Sequence, residues 1–562
     1  MLAMSRFHPR LLDELRSYDG AKFLSDLSAG LTVAAVALPL AMAFAIASGL
    51  KPEAGLFTAI VAGFLISALG GSRVQIGGPA GAFVVVVYAI VERYGVANLL
   101  LATMMAGALL LAMGLFRLGN FVRFVPITIV IGFTNGIAVI IILSQLPEFL
   151  GLKVDQLPAD FLLKLRVLAG SAPTADAATM ALGAASLGVI WAWPRLWRSR
   201  AGAIARVMQH IPGTVVGLAL GTAAVALLHL RVATIGTRFG SIPQSLPHLT
   251  WPQAGWPELS LLVGPAFTIA VLGSIESLLC ARVADSVIED RHDPNQELMA
   301  QGIANIASPL FGGFCATGTI ARTMTNVRSG ARTPVAGIVH AVALLAMVLM
   351  AAPLARHIPL ATLAAVLLYV AYHMGEWHEF ARLRQFSNYY RTVLLATFFL
   401  TVVVDLTVAV QVGLVLACLF FIARISQLTR VEPIAELEER MAGVDPRSVE
   451  AFRVSGSLFF GAVSKMDGLL DPKRRLPEVM ILELSQLLNM DNTGLETLET
   501  LHAMLHKRGG VLVLCGLQEQ PKWLLRQSGL ATDLGPDNVV ETLADAFRRA
   551  RKLIELEGCS TA

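Results

Sequence analysis

Two glycine-rich stretches interrupt the apolar runs of this sequence, and their composition suits the binding of an anion. Residues 70–82 read GGSRVQIGGPAGA and residues 311–322 read FGGFCATGTIAR. Each precedes a short apolar run, at corresponding places in two halves of the apolar region. A helix that begins inside a membrane points unpaired N–H groups and a positive dipole end at the cavity before it. The paired interruptions therefore predict a binding site between two helix starts.

Pro79 supports this interpretation, because proline suits the first turn of a helix, where its missing N–H costs nothing. Glycines let a ligand approach the backbone closely. The alternative is that the glycines only allow tight helix packing and that Pro79 only kinks a helix. Two matched interruptions and a nearby arginine favour the binding site, because charged residues are rare within membrane spans.

Arg322 and Glu276 are the charged residues of most interest. Arg322 follows Gly318 by four residues, which would place both on one helix face, and a guanidinium binds carboxylate or sulfate bidentately. Glu276 lies in the apolar run IAVLGSIESLL, where burial favours its neutral form and a nearby Arg322 would favour the charged form. Glu276 is thus a candidate proton carrier. The alternatives are an Arg322 that reaches lipid headgroups or locks helices, and a permanent ion pair between Glu276 and a base.

The composition indicates a protein that crosses a membrane many times. The chain has 562 residues, of which 55% are apolar and 15% charged, with a mean hydropathy of +0.66. Soluble domains carry about 25% charged residues. The net charge of +4 and the lack of a basic tail do not suggest a nucleic-acid partner. The five cysteines show no CxxC spacing, and we find no metal-ligand cluster, cofactor motif or nucleophile–base pair, so neither a metal, a cofactor nor an enzyme is expected.

Apolar runs extend to about Leu428, and we count about 14 of them. Arginines crowd four alternate loops, near residues 117–123, 195–206, 328–332 and 382–391. If the N-terminus is cytoplasmic, all four loops are cytoplasmic, and so is the C-terminus. Asp285 and Asp405 lie near span ends and are interpreted as structural or capping residues. The predicted domains are a cytoplasmic segment (1–24), a transmembrane domain (25–430), a linker (431–445) and a soluble domain (446–557).

The soluble part reads as a small α/β domain. Residues 479–484 and 511–514 are short apolar runs typical of buried strands. Between them, leucines at helical spacing predict a helix over 494–507, and another amphipathic helix is expected near 540–553. Asp491 could cap the first of these helices.

Several motifs resemble the SulP sulfate-permease family. They are the stretch TGTIARTMTNVRSGARTP at residues 317–334, the NQEL at 295–298 with Gln301, Gly302 and Asn305, and the opening residues from Asp26 to Leu56. The resemblance follows the order of nearly the whole chain. It implies seven plus seven inverted segments forming core and gate domains, as in uracil permeases, and a C-terminal cytoplasmic STAS domain. It also implies anion transport by an elevator-like movement, a homodimer, and a bacterial inner-membrane location.

The resemblance also assigns residues to the site. The third and tenth segments supply the facing helix ends, an aromatic comes from the first segment, and a carboxylate comes from the eighth. A glutamate there favours proton over sodium coupling, so the coupling residue is Glu276. The substrate-binding residues implied by family and motif together are Phe44, Gly78, Ala80, Gly81, Gly318, Thr319, Ile320 and Arg322.

The choice of anion depends on one departure from the family pattern. Many sulfate and chloride members carry glutamine after the proline of the first segment, whereas this chain has Leu40 after Pro39. A more apolar wall favours a C4-dicarboxylate, as in the bacterial dicarboxylate branch. Sulfate or bicarbonate is the alternative within the family.

Other functions are weighed against this. A nucleobase permease would need carboxylates and amides to read base edges. A membrane sensor or scaffold acting through the STAS domain would have no need of broken helices. In the STAS domain, asparagine occupies the position of a phosphorylatable serine in related domains, so we expect an interaction or regulatory module with a possible cytoplasmic partner.

Overall fold

The computed structural model describes residues 5–560, except 123–124, 155–156, 159, 199–207, 209–210, 241–248, 250–255, 436, 442–443, 446 and 472. Arg123, Arg200 and Arg206, which support the orientation, lie outside the described residues, as does the predicted start of the soluble domain at Pro446. The chain forms two compact units, one up to Leu414 and one from Val415.

Helices, most of them apolar, occupy most of the chain up to Leu428. Within the described residues they are α1 (Gly20–Ala47), α2 (Pro52–Leu69), α3 (Gly81–Leu115), α4 (Ile127–Leu150), the short amphipathic α5 (Phe161–Ser171), α6 (Ala177–Arg198), α7 (Gly213–Leu228), α8 (Trp256–Ile288), α9 (Pro294–Leu310), α10 (Ile320–Arg328), α11 (Val335–Ala355), α12 (Leu360–Met374), α13 (Asn388–Val403) and α14 (Leu406–Leu428). Short helices also occur at Arg10–Leu15, Gly119–Val122, Ile235–Phe239 and Trp377–Ala381.

The number of described helices agrees with the predicted number of segments. Seven of the described helices are long and apolar enough to cross a membrane, and three shorter apolar helices accompany them. Helix α3 turns sharply at Gly95, where φ is +82°, so it supplies two segments. Leaving out α5, thirteen of the described helices remain, and counting α3 as two gives fourteen helical segments, the number expected for seven plus seven.

The third segment of each half begins with a short strand instead of a helical turn. Strand β1 (Gly77–Gly78) precedes α3, and β2 (Thr317–Gly318) precedes α10. The two strands pair antiparallel, with Gly77 opposite Gly318 and Gly78 opposite Thr317. Antiparallel pairing of equivalent segments is what two inverted halves require.

Polar residues hold the start of α1 against the start of α11. The carboxylate of Asp26 is fully buried and accepts hydrogen bonds from the backbone N–H groups of Arg332 and Thr333, at 2.7 and 3.1 Å. Its other oxygen accepts from the hydroxyls of Thr333 and Tyr18. Burial and the Asp26 charge raise the pKa of Tyr18 to about 12, so that hydroxyl stays a donor at physiological pH.

The second unit contains a six-stranded sheet. Its strands are β3 (Arg430–Pro433), β4 (Val449–Leu458), β5 (Val479–Glu483), β6 (Leu487–Met490), β7 (Val511–Cys515) and β8 (Val539–Val540), in the order β3-β4-β5-β7-β8 with β6 also paired to β4. Strand β3 pairs antiparallel with β4. The predicted linker 431–445 therefore contains part of the sheet.

Helices cover this sheet: α15 (Asn492–His506), α16 (Glu519–Ser528) and α17 (Leu543–Ser560), with short helices at Leu437–Arg440, Asp467–Leu470 and Leu530–Leu534. The two predicted strands and the first predicted helix are confirmed within two residues, and the last helix is confirmed but ends seven residues later than predicted. The leucines at 495, 498, 501 and 505 are buried against the sheet. Asp491 caps α15 as predicted, because its side chain accepts from the N–H of Gly494 at 2.9 Å.

Candidate functional site

The starts of α3 and α10 lie on either side of the paired strands β1 and β2. The N-cap residues are Ala80 and Thr319, and no side chain caps either helix. Thr319 instead donates its N–H and its hydroxyl to the carbonyl of Ile76, at 3.0 and 3.1 Å. The first N–H groups of both helices are thus not satisfied by capping side chains, which suits an anionic ligand.

Two details of the sequence argument are wrong. Gly318 lies in β2 and not in α10, so its four-residue spacing from Arg322 is not a helical spacing. Pro79 precedes the N-cap Ala80 and is outside the first turn of α3. In both places the strand pairing holds the chain extended until one or two residues before the helix begins.

The guanidinium of Arg322 contacts β1. An ideal Cβ built on Gly78 would lie 2.3 Å from Nη1 of Arg322, and Gly78 has a φ of +152°. Arg322 is only 1% exposed, so it does not extend to lipid headgroups. Its Nε, Nη1 and Nη2 have no hydrogen-bond partner among the described residues.

An unpartnered buried guanidinium is costly. Leaving one member of a buried ion pair without its partner costs about 3–5 kcal/mol. A small anion placed among the Arg322 nitrogens and the helix starts would offset this cost, because it would accept charge-assisted hydrogen bonds. The alternative in which Arg322 forms a permanent ion pair with Glu276 is not what the structure shows, since neither residue has an ion pair with another described residue.

Apolar side chains line another side of the α3 start. An ideal Cβ on Gly81 would lie 3.4 Å from Cε1 of Phe44 and 3.3 Å from the sulfur of Met374. The structure therefore brings Phe44 to Gly81, as the family resemblance implies. Leu40, one turn before Phe44 in α1, is buried.

The remaining predicted residues differ in their exposure. Ala80 and Thr319 are buried at the two N-caps, whereas Ile320 is 37% exposed at the start of α10. Gly318 lies against Gln75, because an ideal Cβ there would be 1.6 Å from the Gln75 amide nitrogen. Gly318 therefore contributes backbone and close packing at this point.

Glu276 lies on the face of α8 that contacts the paired strands and α10. On this face the Gly273 carbonyl accepts from the Thr317 hydroxyl at 2.9 Å, and the Cys280 thiol lies 3.2 Å from the Thr323 hydroxyl. Glu276 is one turn from each of these α8 residues and is partly exposed. It makes no hydrogen bond or ion pair with any other residue that the structure describes.

The NQEL motif holds the glycine-rich backbone in place. The buried Glu297 accepts from the N–H groups of Gly71 and Ser72, at 3.0 and 3.3 Å, and from the Gln301 amide at 3.0 Å. Asn305 forms two hydrogen bonds with the backbone of Ala316. These residues act as supports that fix the two irregular segments.

Asp285 and Asp405 have the structural roles predicted for them. Asp285 accepts from the backbone N–H and ring Nδ1 of His292, at 3.0 and 2.6 Å. Asp405 accepts from the N–H of Val408 at 2.8 Å in the first turn of α14.

Sequence reasoning missed Gln75, His340 and Met374. Gln75 donates to Ser277 at 2.8 Å and was one polar residue among many in a glycine-rich stretch. His340 is fully buried in α11, and neither ring nitrogen has a partner among the described residues. A histidine within an apolar run was a usable signal for His340, whereas nothing in the sequence marked Met374.

Comparison with known proteins decides the family. A model of the sulfate permease family matches residues 23–397, and a STAS domain model matches residues 445–546. The chain belongs to the sulfate permease family. It is 40% identical over 528 residues to the putative sulfate transporter YvdB of Bacillus subtilis (strain 168), covering 94% of this chain and 97% of that one.

A further relative and two solved structures are also similar to this chain. The bicarbonate transporter BicA of Picosynechococcus sp. is 30% identical over 547 residues, covering 93% of this chain and 94% of that one. The transmembrane domain of a cyanobacterial BicA superposes with a TM-score of 0.63, at 34% identity, over 70% of this chain and 98% of that one. The murine Slc26a9 anion transporter has a TM-score of 0.84 at 18% identity, over 96% and 94%, which shows a shared fold.

The predicted fold class and family are thus confirmed. This family member is a multi-pass membrane protein that transports anions, and it is not an enzyme. No cluster of potential metal ligands occurs within the part of the chain that the structure describes.

Proposed function

We propose that the protein is a secondary active transporter of small anions in a bacterial inner membrane, and that the anion binds between the starts of α3 and α10. One observation carries this proposal: the guanidinium of Arg322 is buried beside Gly78, and its three nitrogens lack partners among the described residues. Each helix start adds about half a positive charge. The positive charge of Arg322 and the two helix starts together favour an anionic solute.

We propose C4-dicarboxylates as the substrates. Phe44 and Met374 lie beside the α3 start, where they could contact a short carbon chain while Arg322 binds a carboxylate, and Leu40 is buried one turn before Phe44. Sulfate or bicarbonate is the second candidate. It is favoured by the relatives, which are named as a putative sulfate transporter and a bicarbonate transporter.

We propose that transport is proton-coupled symport and that Glu276 carries the proton. Glu276 lies in the helix that contacts β2 and α10, and among the described residues it has no ion-pair partner that would hold it permanently charged. Anion binding near Arg322 would change the field at this carboxyl group, which links the proton to the substrate.

The remaining features are proposed from the family resemblance. The core moves against the gate in an elevator-like manner, the protein is a homodimer, and both termini are cytoplasmic. The STAS domain, within the predicted range 446–557, acts as a regulatory or interaction module for a cytoplasmic partner. A sensor or scaffold role is the contrasting proposal, and removal of the chain after Arg430 distinguishes them, because a transporter with a regulatory tail keeps its uptake activity.

Uptake into proteoliposomes tests this function. We expect labelled succinate to enter faster under an inward proton gradient, and unlabelled fumarate to compete better than sulfate, bicarbonate or chloride. Glu276→Gln should remove the gradient dependence and leave exchange of labelled for unlabelled anion intact. The matched control is Glu289→Gln, since Glu289 is an exposed carboxylate just beyond the end of α8. If neither the wild type nor Glu289→Gln takes up succinate while both take up sulfate or bicarbonate strongly, the substrate is the second candidate and not a C4-dicarboxylate.

A further inference from the structure

A chamber lies one helical turn beyond the candidate site, toward the end of α1 that is remote from the N-terminus. Its volume is about 780 Å³, and its lining includes Ala47 and Val84, which follow Phe44 and Gly81 by three residues each. The opposite wall comes from the end of α4, from α5 and from the end of α13. An anion travelling along α1 and α3 between this end and Gly81 would pass through the chamber.

The charged side chains that line the chamber differ in their exposure and in whether they are paired. Arg238 is paired with Glu148. Glu92, Asp160 and Asp405 are exposed, so water and salt screen their charges. Lys164 of α5 is only 5% exposed, yet it also lines the chamber.

Lys164 has no counter-charge in contact within the described part of the chain. Its ammonium forms no ion pair and no side-chain hydrogen bond with any residue that the structure describes. Burial lowers the pKa of Lys164, and Glu92 and Asp160 act against this from a distance. Lys164 is thus a largely buried lysine that lines a cavity and has an unpaired ammonium, which a small oxyanion would stabilise.

We propose that this chamber is a second anion-binding station, in which Lys164 holds a small oxyanion before it reaches the helix starts. Tyr88 of α3 donates its hydroxyl to the carbonyl of Leu157 at 2.5 Å, so α3 contacts the segment that carries α5. The chamber is therefore lined by α1 and α3 on one side and by α4, α5 and α13 on the other. This inference rests on the proposed transport function. It adds that the anion enters the site through the chamber.

Sided transport kinetics test the station. For Lys164→Gln we expect the KM for anion entering from the chamber side to rise about tenfold, as for the loss of one hydrogen bond to a charged group. The kcat for entry from the chamber side and the KM for entry from the opposite side should not change. The kcat for entry from the opposite side should fall about tenfold, because without a gradient the ratio kcat/KM must be equal in the two directions. Lys164→Arg should behave like the wild type. The control is Lys153→Gln, which removes an exposed lysine from the same connection outside the chamber.

A structural role for Lys164 would reduce kcat and raise KM from both sides, and that result would overturn the proposal.

The positive charge at position 164 can also be restored chemically. Lys164→Cys treated with an aminoethyl thiosulfonate should regain the low KM, whereas a sulfonatoethyl reagent should not. The wild type treated in parallel reports on the native cysteines. Equal effects of the two reagents would contradict a role for positive charge.

A labelling experiment separates this inference from the proposed function. The intact protein is treated with a water-soluble amine-reactive ester, and modification of Lys164 is followed by mass spectrometry. We expect sodium sulfate or sodium succinate to slow modification of Lys164 but not of Lys153. Protection without any measurable uptake would support the station and refute the transport proposal. Normal uptake without protection or any KM change would refute the station alone.

Discussion

Replacing Gly78 by alanine should displace Arg322 while leaving the fold largely intact. The new Cβ would lie 2.3 Å from Nη1 of Arg322, which is far inside a van der Waals contact. The clash is with the end of a flexible side chain, so the guanidinium can rotate away without unfolding the protein. The positive φ of Gly78 adds about 1–3 kcal/mol of backbone strain.

The expected effect on binding follows from the lost contact. A hydrogen bond to a charged group contributes about 1.5–3 kcal/mol, and about 1.4 kcal/mol corresponds to a factor of ten. Gly78→Ala should therefore raise the KM for anion uptake by about ten- to one-hundred-fold.

Gly95→Ala provides a matched control. Gly95 also has a positive φ, +82°, but an ideal Cβ there meets no atom within 4 Å. The assay is initial uptake in proteoliposomes, with reconstituted protein quantified and its thermal unfolding measured. If Gly78→Ala raises the KM no more than Gly95→Ala does, the displacement of Arg322 has no effect of its own on uptake. The placement of Arg322 at the anion site is then refuted.

Two further predictions concern support of the site and stability of the tail. Gly318→Ala should place its Cβ 1.6 Å from the Gln75 amide nitrogen and break the hydrogen bond from Gln75 to Ser277, lowering the free energy of unfolding by about 1 kcal/mol or more; a thermal midpoint equal to that of the wild type would contradict this. In the STAS domain, burial raises the pKa of Glu483, but hydrogen bonds from Ser485 and Arg453 outweigh this and lower it overall. Its stabilising contribution is therefore present above the unfolded pKa of about 4.3 and is lost as the pH falls below that value. Arg453→Met should speed hydrogen exchange of β5 amides in the full-length protein at pH 7 by a factor equivalent to about 1 kcal/mol, since Arg453 is partly exposed, and the difference from wild type should disappear in acid. A difference that persists in acid would point to lost packing of the Arg453 stem instead.

The sequence was sufficient to predict the paired interruptions, because glycine runs between apolar segments have few other physical explanations in a membrane. It also located Arg322 and Glu276, since isolated charges in apolar runs stand out. Leucine spacing likewise predicted the helix α15, and Asp491 was predicted to cap it. These are local signals, and each depends on residues close together in the chain.

The features that the sequence did not predict depend on contacts between segments far apart in the chain. The pairing of Gly77 with Gly318 fixes where α10 begins, and that register cannot be obtained from the composition of either stretch. Treating Gly318 as helical therefore misjudged its relation to Arg322. The direction of the Arg322 side chain toward Gly78, and the approach of Met374 to Gly81, likewise follow from packing between segments far apart in sequence.

Direct anion binding to an Arg322 variant tests the central claim most directly. Equilibrium binding of labelled succinate, sulfate and bicarbonate is measured on detergent-solubilised wild type, Arg322→Met and Arg328→Met, each checked for its thermal midpoint. Arg328 is the control, because it is an exposed arginine on the same helix. We predict that wild type and Arg328→Met bind at least one of these anions with the same affinity and that a folded Arg322→Met binds none. Wild-type affinity in Arg322→Met would contradict the account.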